Sequence, residues 1–333
     1  MTDTIPGTDT VNTKFTGKIF ADYGFPTVNL AVNQHDFIIY NNDALKQLEL
    51  LPDACIDCIV TSPPYYGLRN YDGGDDEIGQ ENTLQDYINS LYEVFHECKR
   101  VLKPNGTLWL NIGDSYSKGR KTHGEPPRGN LCGVPYKLAF ALQDDGWNLV
   151  SDIIWHKSRV LPEGVKSRPS KCHEHIFMFA LDAYNHTYNI DDIRVPLTET
   201  SLNRIHAYEN NKDTEHGTMR VYGSSKPLHP VGDTSKGRNI RDVWKFAPSN
   251  VSGIHFATYP IALPELCIKA GCTHGGIVLD PFSGSGMTGK AALSNNRKYV
   301  GIELNPDYIK LTTDDVLKDW MDDGKRSLFD DLN

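Results

Sequence analysis

Ile277-Val278-Leu279-Asp280-Pro281-Phe282-Ser283-Gly284-Ser285-Gly286-Met287-Thr288-Gly289-Lys290 runs from a short apolar segment through a glycine-rich turn into a helical pattern. A strand that feeds a helix through glycines is a local signature of a nucleotide cradle, because glycine lets backbone N–H groups approach a ligand closely. Three ligands compete. Gly284 to Lys290 has the spacing of a phosphate loop, but Ala291 stands where a magnesium-binding hydroxyl is needed. Gly284, Gly286 and Gly289 also fit the dinucleotide fingerprint. Glu303, 19 residues after Gly284 at the end of the next apolar run, stands where a ribose-binding acid belongs. The third candidate is S-adenosylmethionine, which offers a ribose to the same acid but carries no pyrophosphate.

Chain position decides against the dinucleotide. That fold needs several more strand–helix units after the loop, and only 30 residues follow Glu303. The remaining strands must therefore come from the N-terminal half, in permuted order. Ligands of such sheets bind beyond the carboxyl ends of the strands. At one of those ends stands Thr61-Ser62-Pro63-Pro64-Tyr65-Tyr66-Gly67, after the apolar run Cys58-Ile59-Val60. Two consecutive prolines stop the ladder and force extended geometry on Ser62 and Pro63. The turn offers hydroxyl and carbonyl oxygens beside an aromatic face, a combination suited to an exocyclic amino group on a nucleobase.

Working outward, the seven expected strands lie at 36–40, 56–61, 107–112, 149–155, 175–181, 277–280 and 298–303. Leu84, Tyr87, Ile88, Leu91, Val94, Phe95, Cys98, Val101 and Leu102 repeat at the three-four spacing of an amphipathic helix, stopped by Lys103-Pro104-Asn105-Gly106. Shorter helices are expected at 44–51, 134–142, from Tyr259 to about Ala270, at 288–296, and after the Asn305 cap with Pro306 in its first turn. Residues 1–35 read as a loosely held polar arm, Ser115 to Asn130 as a mobile loop with four bases, and 183–250 as an inserted, loop-rich unit.

Composition bounds the class. With 333 residues, 39% hydrophobic content and a mean hydropathy of −0.46, one large domain with a smaller insertion is expected. No apolar stretch approaches the roughly 20 residues of a membrane span, and seven scattered cysteines suit a reducing cytoplasm. Cys55/Cys58, Cys172-His173-Glu174-His175 and Cys267…Cys272…His274 lack a matching second half for a metal site, so they read as buried thiols. The net charge is −9, but His156 to Lys171 holds five Lys/Arg against one Glu, a basic strip compatible with a local phosphate footprint.

With its two main motifs in this order, the chain resembles the amino-directed DNA methyltransferases of the permuted (beta) class over roughly residues 36–315. The likeness includes Asn42-Asp43-Ala44, Leu102-Lys103-Pro104-x-Gly106, Trp147, Trp155-His156-Lys157, His255-x-Ala257-Thr258-Tyr259-Pro260, Asp280-Pro281-Phe282 and Gly301-Ile302-Glu303. The resemblance implies a doubly wound α/β fold: a mostly parallel, seven-stranded Rossmann-like sheet in circularly permuted order. Residues 36–182 and 251–333 would form the catalytic domain, with 183–250 as target-recognition insertion.

It also implies the roles of residues. Ser62, Pro63, Pro64 and Tyr65 would be catalytic. Asp43, Ala44, Thr258, Asp280, Phe282, Ser283, Gly284, Gly286 and Glu303 would bind S-adenosylmethionine, with no metal. Lys157, Arg159, Lys166 and Arg168 would meet nucleic acid. Double-stranded DNA is the implied partner, and a cognate restriction endonuclease is compatible with a bacterial, archaeal or phage protein acting in the cytoplasm as monomer or homodimer. Ser62 in place of an acid leans towards cytosine N4 over adenine N6 as acceptor. A catalytically silent DNA- or cofactor-binding module is the rival from a different class.

Overall fold

Apolar runs of four to six residues alternate with amphipathic stretches along most of the chain, and the strands follow them. The computed structural model describes residues 18–67, 77–160, 162–203, 236–248 and 259–321. Its strands are β1 (Leu30–Asn33), β2 (Phe37–Asn41), β3 (Ile56–Thr61), β4 (Leu102–Ile112), β5 (Asn148–Lys157), β6 (His173–Ala180), β7 (Val243–Phe246), β8 (Ile277–Asp280) and β9 (Lys298–Glu303). Its helices include α1 (Lys18–Asp22), α2 (Ala44–Leu48), α3 (Leu84–Val101), α4 (Val134–Asp144), α5 (Ala262–Gly271), α6 (Met287–Ser294) and α7 (Pro306–Leu311).

The strands form one sheet in the order β1-β2-β9-β8-β3-β4-β6-β5-β7. β2, β9, β8, β3 and β4 are mutually parallel, while β6 runs antiparallel to both β4 and β5. The carboxyl ends of those five strands therefore share one edge. The end of β5 and the start of β6 lie on that edge too, because β5 runs with β4 and β6 against it. Helices cover both faces. Residues of α2, α3 and α4 pack on one side, and residues of α5, α6 and α7 on the other.

α3 shows why the pattern was decisive. Leu84, Tyr87, Ile88, Leu91, Val94, Phe95, Cys98 and Val101 are all buried, each large side chain contributing about 1.5–3 kcal/mol over exposure. Thr83 caps its start by accepting from Asp86 N at 3.0 Å. Gly271 ends α5 against the sheet, where a Cβ would collide with the Trp109 and Thr107 side chains. Only glycine allows that approach.

Two expectations are corrected. The sheet has nine strands where seven were expected. β1 and β7 extend its two sides, and both are four-residue strands too short to register as a pattern. The arm 1–35 is not loose over its described part. Phe20 and Phe25 are buried edge-to-face at 5.5 Å, Tyr40 OH donates to Pro26 O at 2.9 Å, and β1 covers the β2 edge. The inserted unit is anchored in the sheet. β7 pairs with β5, Trp244 stacks on Trp109 at 6.2 Å, and Asn189 N donates to Ala270 O at 2.7 Å. Residues 204–235 of that unit lie outside the described residues.

Candidate active site

The shared strand edge collects most of the residues singled out above. Ser283 N donates to Ile302 O at 2.9 Å, which folds the glycine turn over the end of β9. Gly284 (φ +51°) and Gly286 (φ +77°) take the left-handed backbone that opens α6. A Cβ on Gly286 would strike Thr312, whose hydroxyl donates to Gly284 O at 3.1 Å. The Ser283 hydroxyl is paired with Tyr299 OH at 2.8 Å, and Phe282 packs edge-on against Phe95.

Glu303 closes this turn from below. Its Oε2 accepts Gly284 N at 2.7 Å and its Oε1 accepts Asn305 N at 2.9 Å. Burial pushes its pKa up to about 7 against the lowering effect of those donors. Next to it, Asn42 N donates to Glu303 O at 3.2 Å. Asp43 caps α2 by accepting Lys46 N at 2.9 Å, and Ala44 is buried behind it. A carboxylate offers about four acceptor positions. Gly284 N, Asn305 N and, more weakly, Leu304 N donate to the Glu303 carboxylate, which has acceptor capacity beyond them. An acceptor carboxylate beside the glycine turn fits the ribose hydroxyls of S-adenosylmethionine, with the turn for its methionine portion.

Asp280 takes a different place from the one expected. It is 1% exposed and turned into the protein. Its Oδ1 accepts Thr61 Oγ1 at 2.6 Å and Phe282 N at 3.0 Å, and its Oδ2 accepts Thr288 Oγ1 at 2.5 Å and Tyr259 OH at 3.3 Å. These contacts tie the glycine turn to the end of β3 through a buried carboxylate. Thr258 lies outside the described residues.

The Ser62 turn follows Thr61 directly, so this link brings the two motifs together across adjacent strands. Ser62 is half-buried, and the Pro63 carbonyl accepts no hydrogen bond from the described residues. The Pro64 carbonyl is taken by Tyr87 OH at 2.8 Å. Tyr65 OH donates to Glu174 Oε2 at 2.8 Å. Its ring lies on Gly113, where a Cβ would be 3.0 Å from Tyr65 Cε2 and 3.1 Å from Glu174. Asn111 Nδ2 donates to Glu174 Oε2 at 3.3 Å, and Lys157 Nζ pairs with Glu174 Oε1. Burial and then the Glu174 charge push the Tyr65 hydroxyl well above its ordinary pKa, while the neighbouring Ser62 hydroxyl acts the other way.

Glu174, Asn111, Gly113 and Tyr87 are the contributors that sequence reading missed. A signal existed. Read for its thiol, Cys172-His173-Glu174-His175 hides the acid at its centre, yet pairing the two flanking strands antiparallel sets Trp155 opposite Glu174 and Lys157 beside it. Two residues of the basic strip are engaged within the protein. Lys157 is spent on Glu174 and on the Trp155 ring at 4.6 Å, because a buried carboxylate needs a cation. Arg168 is paired with Glu163 at 2.6 Å and lies 3.6 Å over Tyr116. Arg159 and Lys166 are exposed.

A family model of DNA methylases, N6_N4_Mtase, matches residues 56–314. The chain belongs to this family. The methylase is 38% identical over 295 residues to the type II methyltransferase M.XycI of Xanthomonas campestris pv. cyanopsidis, covering 83% of this chain and 86% of that one. It is 30% identical over 275 residues to the DNA adenine methyltransferase YhdJ of Escherichia coli (strain K12), covering 82% and 80%. Its fold is similar to that of the PvuII cytosine-N4-specific DNA methyltransferase, with a TM-score of 0.58 and 19% identity over 88% of each chain. The methylase is thus a DNA methyltransferase. Among its described residues no helix is long and apolar enough to cross a membrane.

Proposed function

We propose that the methylase acts on the exocyclic N4 amine of a cytosine flipped out of duplex DNA. The observation that carries this reading is the Ser62 turn. A neutral hydroxyl stands where a carboxylate could be, Pro63 offers a carbonyl beside it, and Thr61–Asp280 holds the turn next to the glycine loop. When bound, S-adenosylmethionine supplies an electrophilic methyl on a sulfonium sulfur. The amine is a poor nucleophile because its lone pair is delocalised into the ring. Hydrogen bonds from its two protons to the Ser62 hydroxyl and the Pro63 carbonyl favour a pyramidal nitrogen, so positioning and preorganised acceptors carry the catalysis. Tyr65, fixed by Glu174 and Gly113, supplies the face on which the extruded base stacks.

Glu303, Gly284 and Gly286 hold the cofactor, and Asp43–Ala44 border its adenine; Asp280 positions the turn without touching it. Arg159 and Lys166 contribute phosphate contacts. Residues 183–250 read the target sequence. Similarity to type II methyltransferases supports pairing with a cognate restriction endonuclease in the cytoplasm.

Adenine N6 is the second reading, favoured by the likeness to the DNA adenine methyltransferase YhdJ. The test is transfer of a labelled methyl from S-adenosylmethionine to duplex DNA, followed by hydrolysis to nucleosides. N4-methylcytosine is expected. N6-methyladenine as the sole product would overturn the cytosine assignment, and cofactor binding without transfer to any duplex would point to a silent module.

A further inference from the structure

The segment between β4 and α4 leaves the sheet on the same edge as the Ser62 turn, and it is built as an arm. Ser117 N donates to Asn130 O at 2.8 Å, Gly129 N to Ser117 O at 3.0 Å and Cys132 N to Ser115 O at 2.9 Å, with Tyr116 bridged antiparallel to Leu131. Glu125 lies inside the arm, 8% exposed. It accepts the Ser117 hydroxyl and Lys118 N, each at 2.9 Å, and Arg120 Nε at 2.6 Å. The other acid of the segment, Asp114, is spent on the backbone N–H groups of Ser115, Gly133 and Val134.

With both acids turned inward, the exposed charged groups of the arm are Lys118, Lys121 and Arg128. Neither Lys121 nor Arg128 has an acidic partner among the described residues. The arm also touches the functional edge on two sides. Lys118 Nζ donates to Gly67 O at 3.3 Å, and the Arg120 guanidinium stands 5.5 Å over Tyr66. Arg168 stacks on Tyr116, and Lys171 Nζ donates to Asp114 O, which joins the arm to the basic strip.

An outward face of one sign, held rigid on a chain of net charge −9, concentrates anion binding at one place. We propose that this arm grips the DNA phosphates flanking the extruded base, with Lys118, Lys121 and Arg128 as the contacts. The inference rests on the reading of the site as one that takes a flipped base from duplex DNA. It makes the four-base segment Ser115 to Asn130 the main phosphate surface, ahead of the strip 157–168.

The full chain carrying K121Q and R128Q, with S-adenosylhomocysteine present, is titrated with duplex DNA over a series of salt concentrations. The plot of log Kd against log salt is expected to lose about 2 units of slope, roughly 0.9 per phosphate contact removed. The calorimetric Kd for S-adenosylhomocysteine is expected to stay at the wild-type value. A slope equal to that of the wild type, with DNA binding otherwise intact, would overturn the proposal, as would a loss of slope confined to an R159Q/K166Q control. A wild-type chain that neither binds nor methylates duplex DNA would defeat the functional reading itself, a result distinguishable from the failure of the arm.

Discussion

Ser62 and Glu303 do opposite kinds of work at the same edge. Ser62 is expected to touch only the base, so Ser62→Ala should lower kcat at least tenfold while the Kd for S-adenosylhomocysteine stays within about twofold; tenfold corresponds to about 1.4 kcal/mol. Loss of cofactor affinity in parallel would remove Ser62 from its assigned place. Glu303 faces the donor. Its folded pKa, about 7, lies above its ordinary 4.5, so the free protein binds more protons here than the unfolded chain does between those values. This group's contribution to stability is accordingly full below 4.5 and lost as pH rises through 7. Ribose hydroxyls donate to the ionised carboxylate, so cofactor binding should release a proton. Affinity should therefore fall by up to about tenfold per pH unit below 7, measured by calorimetry in buffers of different ionisation enthalpy. A flat profile, the same in Glu303→Gln, would show that the carboxylate does not meet the cofactor.

At the scale of elements, motif spacing and periodicity located the strands and helices that carry the site but misjudged the segments between them. Ser115 to Asn130 has no periodicity and three glycines and two prolines, the composition of a loop. Its order comes from one acid. Burial opposes the charge on Glu125, yet the Arg120 guanidinium, the Ser117 hydroxyl and backbone N–H groups hold its pKa down at about 2. A depressed acid stabilises the folded arm above its ordinary 4.5, and that support is lost as pH falls towards 2. Glu125→Gln should lower the hydrogen-exchange protection of the Lys118 and Arg120 amides while leaving α3 protected. Unchanged protection would mean that Glu125 does not organise the arm. Lys157 misled in the opposite direction. It stands in a run of bases, but Glu174 claims it from 17 residues away, across the β5–β6 pair.

At the scale of the whole molecule, the two motifs were enough to infer an α/β sheet in which both follow adjacent parallel strands and leave from one edge. The central strands were legible because a strand buried on both faces must be apolar throughout, and that demand is written locally. β1 and β7 were not legible, since a four-residue edge strand is held by a neighbour the sequence does not name. The same division runs through the site. Ser62, Tyr65, Gly284, Gly286 and Glu303 could be singled out because they stand in motifs of fixed short spacing. The Thr61–Asp280 link spans 219 positions and Tyr65–Glu174 spans 109. Such contacts depend on which strands become neighbours, and strand order is decided by packing of the entire sheet. Sequence therefore determined the kind of reaction centre this chain carries. Tertiary structure alone decided that Asp280 faces inward, that Lys157 pairs with the Glu174 that holds Tyr65, and that the four-base arm stands beside the Ser62 turn.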